Sequence, residues 1–256
     1  MTSLVDLNCD MGESFGAWRM GVDALVMPSI TSANIACGFH AGDPGVMRET
    51  VRLAVSAGVA VGAHPGFPDL AGFGRREMQM GTRELEDMLL YQISALAGFA
   101  RAAGVALKHV KPHGALYNMA ARDRRVAGAI GRAVASFDSS LVLFGLAGSV
   151  MLDAGRDAGV PVASEGFADR MYEPDGSLTP RSQPGAVLHD PAAVARRAVQ
   201  IVRDGVVTAS DGREVPLQID TICVHGDTPG ADASARELRR ALAEAGIRVR
   251  AIGASA

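Results

Sequence analysis

Short apolar or β-branched runs recur along the chain, each closed by a turn and most followed by a stretch with helical spacing. Strands are expected at 5–10 (VDLNCD), 32–40 (SANIACGFH), 59–65 (VAVGAHP), 107–113 (LKHVKPH), 141–148 (LVLFGLAG), 162–167 (VASEGF) and 220–226 (DTICVHG). A last apolar stretch, IRVRAIG, lies at 247–253. Helices are expected between them. Asp43-Pro44 has the form of an N-cap followed by proline at the first helical position, and Val46/Met47, Thr50/Val51 and Ala54/Val55 repeat at helical spacing as far as Gly58. Thr82 opens a longer helix with Leu85, Leu89, Ile93, Leu96 and Ala100 on one face, ending at Gly104. Another follows Asp123 with Val126, Ile130, Val134 and Phe137, and Asp190-Pro191 repeats the capping signal ahead of Val194, Ala198 and Ile201. An amphipathic stretch runs from about Asp232 to Ala245 and stops at Gly246. Between the last two helices, VVTASDGREVPL (206–217) carries an Asp-Gly flanked by apolar residues, the signal of a small β-hairpin insert.

Alternating β and α units call for a mostly parallel sheet. Seven of them in one chain suit a closed (β/α) barrel, with an open doubly wound sheet as the competing arrangement. No linker or internal repeat divides residues 1–256, so one barrel domain is expected. The loops 65–81 and 167–190 are longer than the connections need, and long loops in a compact fold tend to carry function.

Composition narrows the partners. A formal net charge of −3 and a pI near 6.1 argue against nucleic acid or an anionic membrane. Cys9, Cys37 and Cys223 are few, odd in number and widely spaced, which fits a reduced, cytoplasmic chain better than a disulfide framework. MTSLVDLNCD has neither the basic nor the apolar region of a secretory leader.

Among 25 Lys and Arg there are only two lysines, Lys108 and Lys111, and both sit in KHVKPHGALY (108–117) beside His109 and His113. On a strand, His109, Lys111 and His113 alternate onto one face. Parallel α/β folds bind ligands at the carboxyl ends of their strands, and the polar residues fall there. Asp10 and Glu13 follow the first strand, His40 and Asp43 the second, His64 ends the third, and Lys111 and His113 end the fourth. Glu165 ends the sixth, with Asp169 and Arg170 beyond it, and His225 and Asp227 end the seventh. Taken singly, each has a plainer explanation: Asp43 is a helix cap, His109 a buried hydrogen-bonding group, Arg75-Arg76 a solvated pair, and the cysteines small core residues. Acids and bases arriving at one end of five or six strands are harder to explain that way. No phosphate-binding glycine loop and no dinucleotide fingerprint occur. His109 and His113 have zinc-helix spacing, but Pro112 and the strand pattern break that geometry. General acid–base chemistry on a small polar substrate remains.

DLNCDMGESFG (6–16), SANIACGFHAGDP (32–44), GAHPGFPDLAGFGRR (62–76), KPHGALYN (111–118), FADRMYEPDGSLTPRS (167–182) and VHGDTP (224–229) resemble the hallmarks of the LamB/YcsF family. The resemblance spans residues 5 to about 253. It implies a seven-stranded (β/α) barrel of the glycoside hydrolase/deacetylase type. It also implies ATP-dependent opening of the lactam 5-oxo-L-proline to L-glutamate, in concert with the separate B and C subunits of 5-oxoprolinase. ATP with magnesium would be handled together with those subunits, and neither a tightly bound cofactor nor a metal is expected on this chain. The family motifs coincide with Asp10, Glu13, His40, His64, Lys111, His113, Arg170, His225 and Asp227; the residue pattern adds Glu165 and Arg75. Chemical reasoning assigns Asp10 or Glu13 with His64 to proton transfer and Lys111 with His113 to the developing oxyanion. Arg75 and Arg170 would hold substrate carboxylate or phosphate, and Asp227 is counted with them as a substrate-binding residue. Two other possibilities stand beside this one: a metal-dependent deacetylase or amidohydrolase with Asp10, His40 and His64 as ligands, and a non-catalytic subunit that binds a lactam or carbohydrate.

Overall fold

The computed structural model describes residues 3–180, 183–224 and 230–253. Its elements, in chain order, are β1 (Leu4–Met11), α1 (Asp23–Val26), β2 (Ser32–Ala36), α2 (Pro44–Ala57), β3 (Ala60–His64), α3 (Thr82–Ala102), β4 (His109–Val110), α4 (Gly114–Ala120) and α5 (Arg124–Asp138). They continue with β5 (Val142–Leu146), α6 (Val150–Asp157), β6 (Val162–Phe167), α7 (Pro191–Asp204), β7 (Val206–Thr208), β8 (Glu214–Pro216), β9 (Thr221–Val224), α8 (Ala231–Glu244) and β10 (Arg248–Val249). Strands β1 to β6 pair in sequence order, β6 pairs with β9 and β9 with β1, all in parallel. The sheet therefore closes into a seven-stranded barrel, and the open doubly wound alternative is excluded. Strand β10 adds to the start of β1, and β7 and β8 form the expected antiparallel hairpin.

The amphipathic periods lie where their spacing put them. Leu85, Leu89, Ile93, Leu96 and Ala100 of α3 are buried, as are Met47, Val51 and Ala54 of α2, while Val55 is exposed. Val5, Leu7, Cys9 and Met11 face these helices as part of the same core. Asp43, Asp123 and Asp190 each accept backbone N–H bonds from the first turn of the helix they precede. All three cysteines are free and buried. No helix among the described residues is long and apolar enough to cross a membrane.

Two strands are shorter than their apolar runs. β2 stops at Ala36, because Gly38 and Gly42 take left-handed φ angles of 94° and 80° and turn the chain on either side of His40. A Cβ on Gly42 would stand 2.7 Å from the Ala36 carbonyl, so only glycine closes this turn. β4 is brief because Pro112 offers no N–H, yet Lys108, Lys111 and His113 still donate to Val61, Ala63 and Pro65 on the β3 side. The extended register is kept, and with it the shared face of His109, Lys111 and His113.

Candidate active site

The barrel interior is polar. Asp6, Asn8 and Asp10 alternate inward along β1, opposite the outward apolar set, and each finds partners on neighbouring strands. Asp6 accepts from Ser32 and Thr31 at 2.7 Å and from Thr221. Asn8 donates to Thr221 Oγ1 at 2.7 Å and to Glu165 Oε1 at 2.9 Å, and accepts from Asn34 at 2.7 Å. His109 donates from Nε2 to Asn34 Oδ1 at 2.7 Å and stacks on Phe144. It lies below the mouth as a structural group, and burial, then the Lys111 charge, push its pKa down to about 3. Gly62 makes room for its ring, since a Cβ there would meet it at 2.1 Å.

Lys111 answers why one of two lysines sits here. Its Nζ lies 2.8 Å from Glu165 Oε1, 3.0 Å from Asp10 Oδ1, 3.2 Å from Asn8 Oδ1 and 3.1 Å from Cys223 Sγ. An ammonium has three protons, so its donor capacity is used up. Burial pulls its pKa down, and the Asp10 and Glu165 carboxylates more than reverse this, holding it well above the usual lysine range. Burial likewise drives the Asp10 carboxyl up, and His64 and Lys111 bring it well below the usual carboxylate range. Chemical reasoning assigned Lys111 to a developing oxyanion; the structure places its ammonium against Asp10 and Glu165.

Above this layer stand three imidazoles and Glu13. His64 Nδ1 lies 2.7 Å from the Lys111 carbonyl, and its Nε2 is 3.4 Å from Asp10 Oδ2 and 2.9 Å from His113 Nδ1. His113 Nε2 lies 2.8 Å from the Phe73 carbonyl. His40 stacks on His113 with ring centroids 3.8 Å apart and planes 4° from parallel. Glu13 Oε1 approaches His113 Nδ1 at 3.5 Å and His40 Nε2 at 3.9 Å. Burial, and then the neighbouring imidazoles, hold His40 well below the usual histidine range and push His113 down to about 3.

The 65–81 loop covers this cluster. Gln92 on α3 holds both backbone groups of Gly66, at 2.9 and 3.0 Å, and Asp69 ties the loop through Gly72 N–H and Arg76. Phe73 sits at φ 54°, a left-handed angle uncommon for an aromatic residue, and it offers its carbonyl to His113 and its ring edge-on to His40 and His113. Gly74 is forced as well: a Cβ would fall 2.8 Å from His113 Cδ2 and His40 Cβ.

A cavity of about 940 Å³ opens from Asp10, Glu13, His64, Lys111 and His113 toward Arg75 and the 170s loop. The structure thus brings together Asp10, Glu13, His40, His64, Lys111, His113 and Glu165. Arg75 is exposed on the cavity wall with its guanidinium over the Phe73 ring. Arg170 also lines the cavity but is buried, with its head on the carbonyls of Thr179 and Ala186, so it braces its own loop. His225 and Asp227 lie outside the described residues. Asn8, Asn34 and Thr221 escaped sequence reasoning. For Asn8 the signal was present in the polar period-2 alternation of Asp6, Asn8 and Asp10.

A closed seven-stranded (β/α) barrel with carboxylates, a buried lysine and clustered imidazoles at the strand C-termini defines a class of barrel with an acid–base site at its mouth. A family model described as the LamB/YcsF family matches residues 5–256, and the chain belongs to that family. A Chloroflexus aggregans protein, named as the A subunit of 5-oxoprolinase, is 61% identical over 246 residues, covering 96% of this chain and 98% of the relative. A Methylococcus capsulatus protein of the same name is 58% identical over 253 residues, covering 99% and 97%. The crystal structure of a lactam utilization protein from Thermus thermophilus superposes with a TM-score of 0.93 at 52% identity, covering 97% of this chain and all of that one.

Proposed function

We propose that this chain is the A-type subunit of a cytoplasmic 5-oxoprolinase, opening the lactam ring of 5-oxo-L-proline to L-glutamate together with B and C subunits and at the expense of ATP. The observation that carries this reading is full-length similarity to relatives named as the A subunit of 5-oxoprolinase, at 58–61% identity. The site supplies chemistry the reaction needs.

Amide resonance makes a five-membered lactam a poor electrophile. Transfer of the terminal phosphoryl group of ATP to the carbonyl oxygen releases ADP and leaves a carbon that water can attack. Once that water has added, the ring C–N bond breaks as the nitrogen takes a proton, and a second water hydrolyses the resulting acyl phosphate to glutamate and inorganic phosphate. Asp10, held ionised by Lys111 and touching His64, suits the base that takes the proton from water. His64, whose Nε2 lies 3.4 Å from Asp10 Oδ2, lines the cavity beside His113 where the nitrogen would take its proton. Arg75 on the cavity wall offers a guanidinium to the substrate carboxylate or a phosphate. Magnesium–ATP would be handled jointly with the partner subunits.

The test is reconstitution of this chain with B and C subunits, measuring glutamate formed from 5-oxo-L-proline with and without ATP. ATP-dependent release that disappears with Asp10→Asn, in a complex that still assembles, is the expected result. No release from the assembled complex would overturn the reading. Undiminished release with Asp10→Asn would make this chain a binding subunit.

A further inference from the structure

We propose that Glu13, His40, His64 and His113 form a binding site for one divalent transition-metal ion, of the kind zinc exemplifies. The grounds are the directions of the ring protons. A carbonyl oxygen can only accept, so the 2.7 Å contact to the Lys111 carbonyl puts a His64 hydrogen on Nδ1 and, in the neutral ring, leaves Nε2 with a bare lone pair. The 2.8 Å contact to the Phe73 carbonyl puts the His113 hydrogen on Nε2 and leaves Nδ1 bare. These two bare nitrogens face each other at 2.9 Å. With neither nitrogen protonated the two rings present lone pair to lone pair, an arrangement that a cation between or beside them relieves. Glu13 Oε1 adds a carboxylate oxygen 3.5 Å from His113 Nδ1. Among the described residues, both ring nitrogens of the 1% exposed His40 lack a hydrogen-bond partner, and its Nε2 is 3.9 Å from the same Glu13 oxygen.

The spacing fits. One donor atom from each of the four residues lies within 4.8 Å of all the others. Ligands about 2.1 Å from a tetrahedral ion stand roughly 3.4 Å apart, a separation that the observed contacts of 2.9, 3.5 and 3.9 Å bracket. The outer contacts fit as well: ligating histidines commonly donate their second N–H to a carbonyl, which is what His64 and His113 do. Three nitrogens and one oxygen suit zinc or cobalt and suit magnesium poorly. The set differs from the Asp10, His40, His64 trio weighed from the sequence: Glu13 supplies the carboxylate in place of Asp10, whose Oδ1 bonds Lys111 and Asn34. It also departs from the expectation that the chain carries no metal. Glu13, His64 and His113 line the cavity, so an ion held there would draw electron density from a carbonyl or phosphoryl oxygen entering it.

The experiment uses the isolated, untagged chain purified without chelator or added metal, so its outcome is separate from any measurement of lactam opening. Zinc titration by calorimetry is expected to give one equivalent with a micromolar or tighter Kd. Cobalt should produce the intense visible absorption of four-coordinate Co²⁺, and magnesium should not displace it. Glu13→Gln and His113→Ala, each checked for native circular dichroism, should weaken zinc at least about 10-fold, on the scale seen when a metal's surroundings are altered. If neither zinc nor cobalt binds at 100-fold molar excess, the proposal is wrong and the two rings share a proton instead. Binding that is equally tight in both variants, or in whichever of the two folds, also overturns it by placing the ion elsewhere.

Discussion

Replacing Lys111 by methionine should destabilise the barrel before it tells anything about catalysis. The lysine bridges Glu165, which is fully buried, and Asp10, whose side chain is 23% exposed and keeps a 2.8 Å bond from Asn34. Methionine fills much of the same volume, so the loss is electrostatic. Removing one partner from a buried ion pair typically costs about 3–5 kcal/mol, because the other charge is left without compensation. Most of that should fall on Glu165, since Asp10 retains solvent and an amide. Against a total stability of roughly 5–15 kcal/mol, this is a large fraction. In urea unfolding followed by far-UV circular dichroism at pH 7, a loss of that size lowers the midpoint by about 1–2 M, taking a slope near 3 kcal/mol/M. Adding Glu165→Gln should restore part of it, with a coupling of about 2 kcal/mol between the two sites, because the charge that lacked a partner is gone. Arginine should not restore the wild-type midpoint, since its planar fork does not fit four acceptors placed around one compact ammonium. A Lys111→Met midpoint within about 0.3 M of wild type, by this order-of-magnitude slope, would refute the reasoning. So would strictly additive effects of the two substitutions.

His109 is neutral in the fold with a pKa of about 3, against about 6.5 when unfolded, so below pH 6.5 the unfolded chain binds the extra proton and stability falls as pH falls. His109→Gln, which can still donate to Asn34, should flatten the stability–pH slope between pH 6 and 5 by up to about 1.4 kcal/mol per unit; identical slopes would show that the ring is not held neutral. Gly74→Ala should cost on the order of 2 kcal/mol and perturb the histidine cluster, read as a shift of the His40 and His113 ring resonances by NMR; unmoved resonances would mean that the loop relaxes without disturbing the stack. The isolated chain should release no glutamate from 5-oxo-L-proline with ATP alone, because no glycine-rich phosphate loop occurs, Lys108 is exposed and Lys111 is fully engaged. Steady ATP-dependent release by chain shown free of partners by mass spectrometry would contradict this.

What the chain revealed, and what it hid, follows from the range of the interactions. Helix caps and amphipathic faces are local, and Asp43, Asp123 and Asp190 are found doing what their neighbours announced. The shared face of His109, Lys111 and His113 was legible because period-2 alternation needs no knowledge of the rest of the fold. The roles within that face were not. His109 and Lys111 are two residues apart, yet one meets Asn34 and Phe144 in the barrel interior while the other meets Asp10 and Glu165 at the mouth. That division is set by register between strands up to 215 residues apart, as in the Asp6–Thr221 bond, and no local pattern encodes it. The short helices α4 and α6 escaped for the opposite reason: seven and eight residues following closely on a strand give too few turns for a 3.6-residue period to stand out. His40 shows a third case. Its place over His113 depends on two left-handed glycines and on a loop roughly 30 residues away, so the residue was visible as chemistry while its partner was not. The polar interior connects these cases. A barrel that lines its own axis with Asp6, Asn8, Asp10, Asn34 and Glu165 must satisfy every one of them by cross-strand pairing, and that requirement fixes Lys111, and through it Asp10, at the mouth.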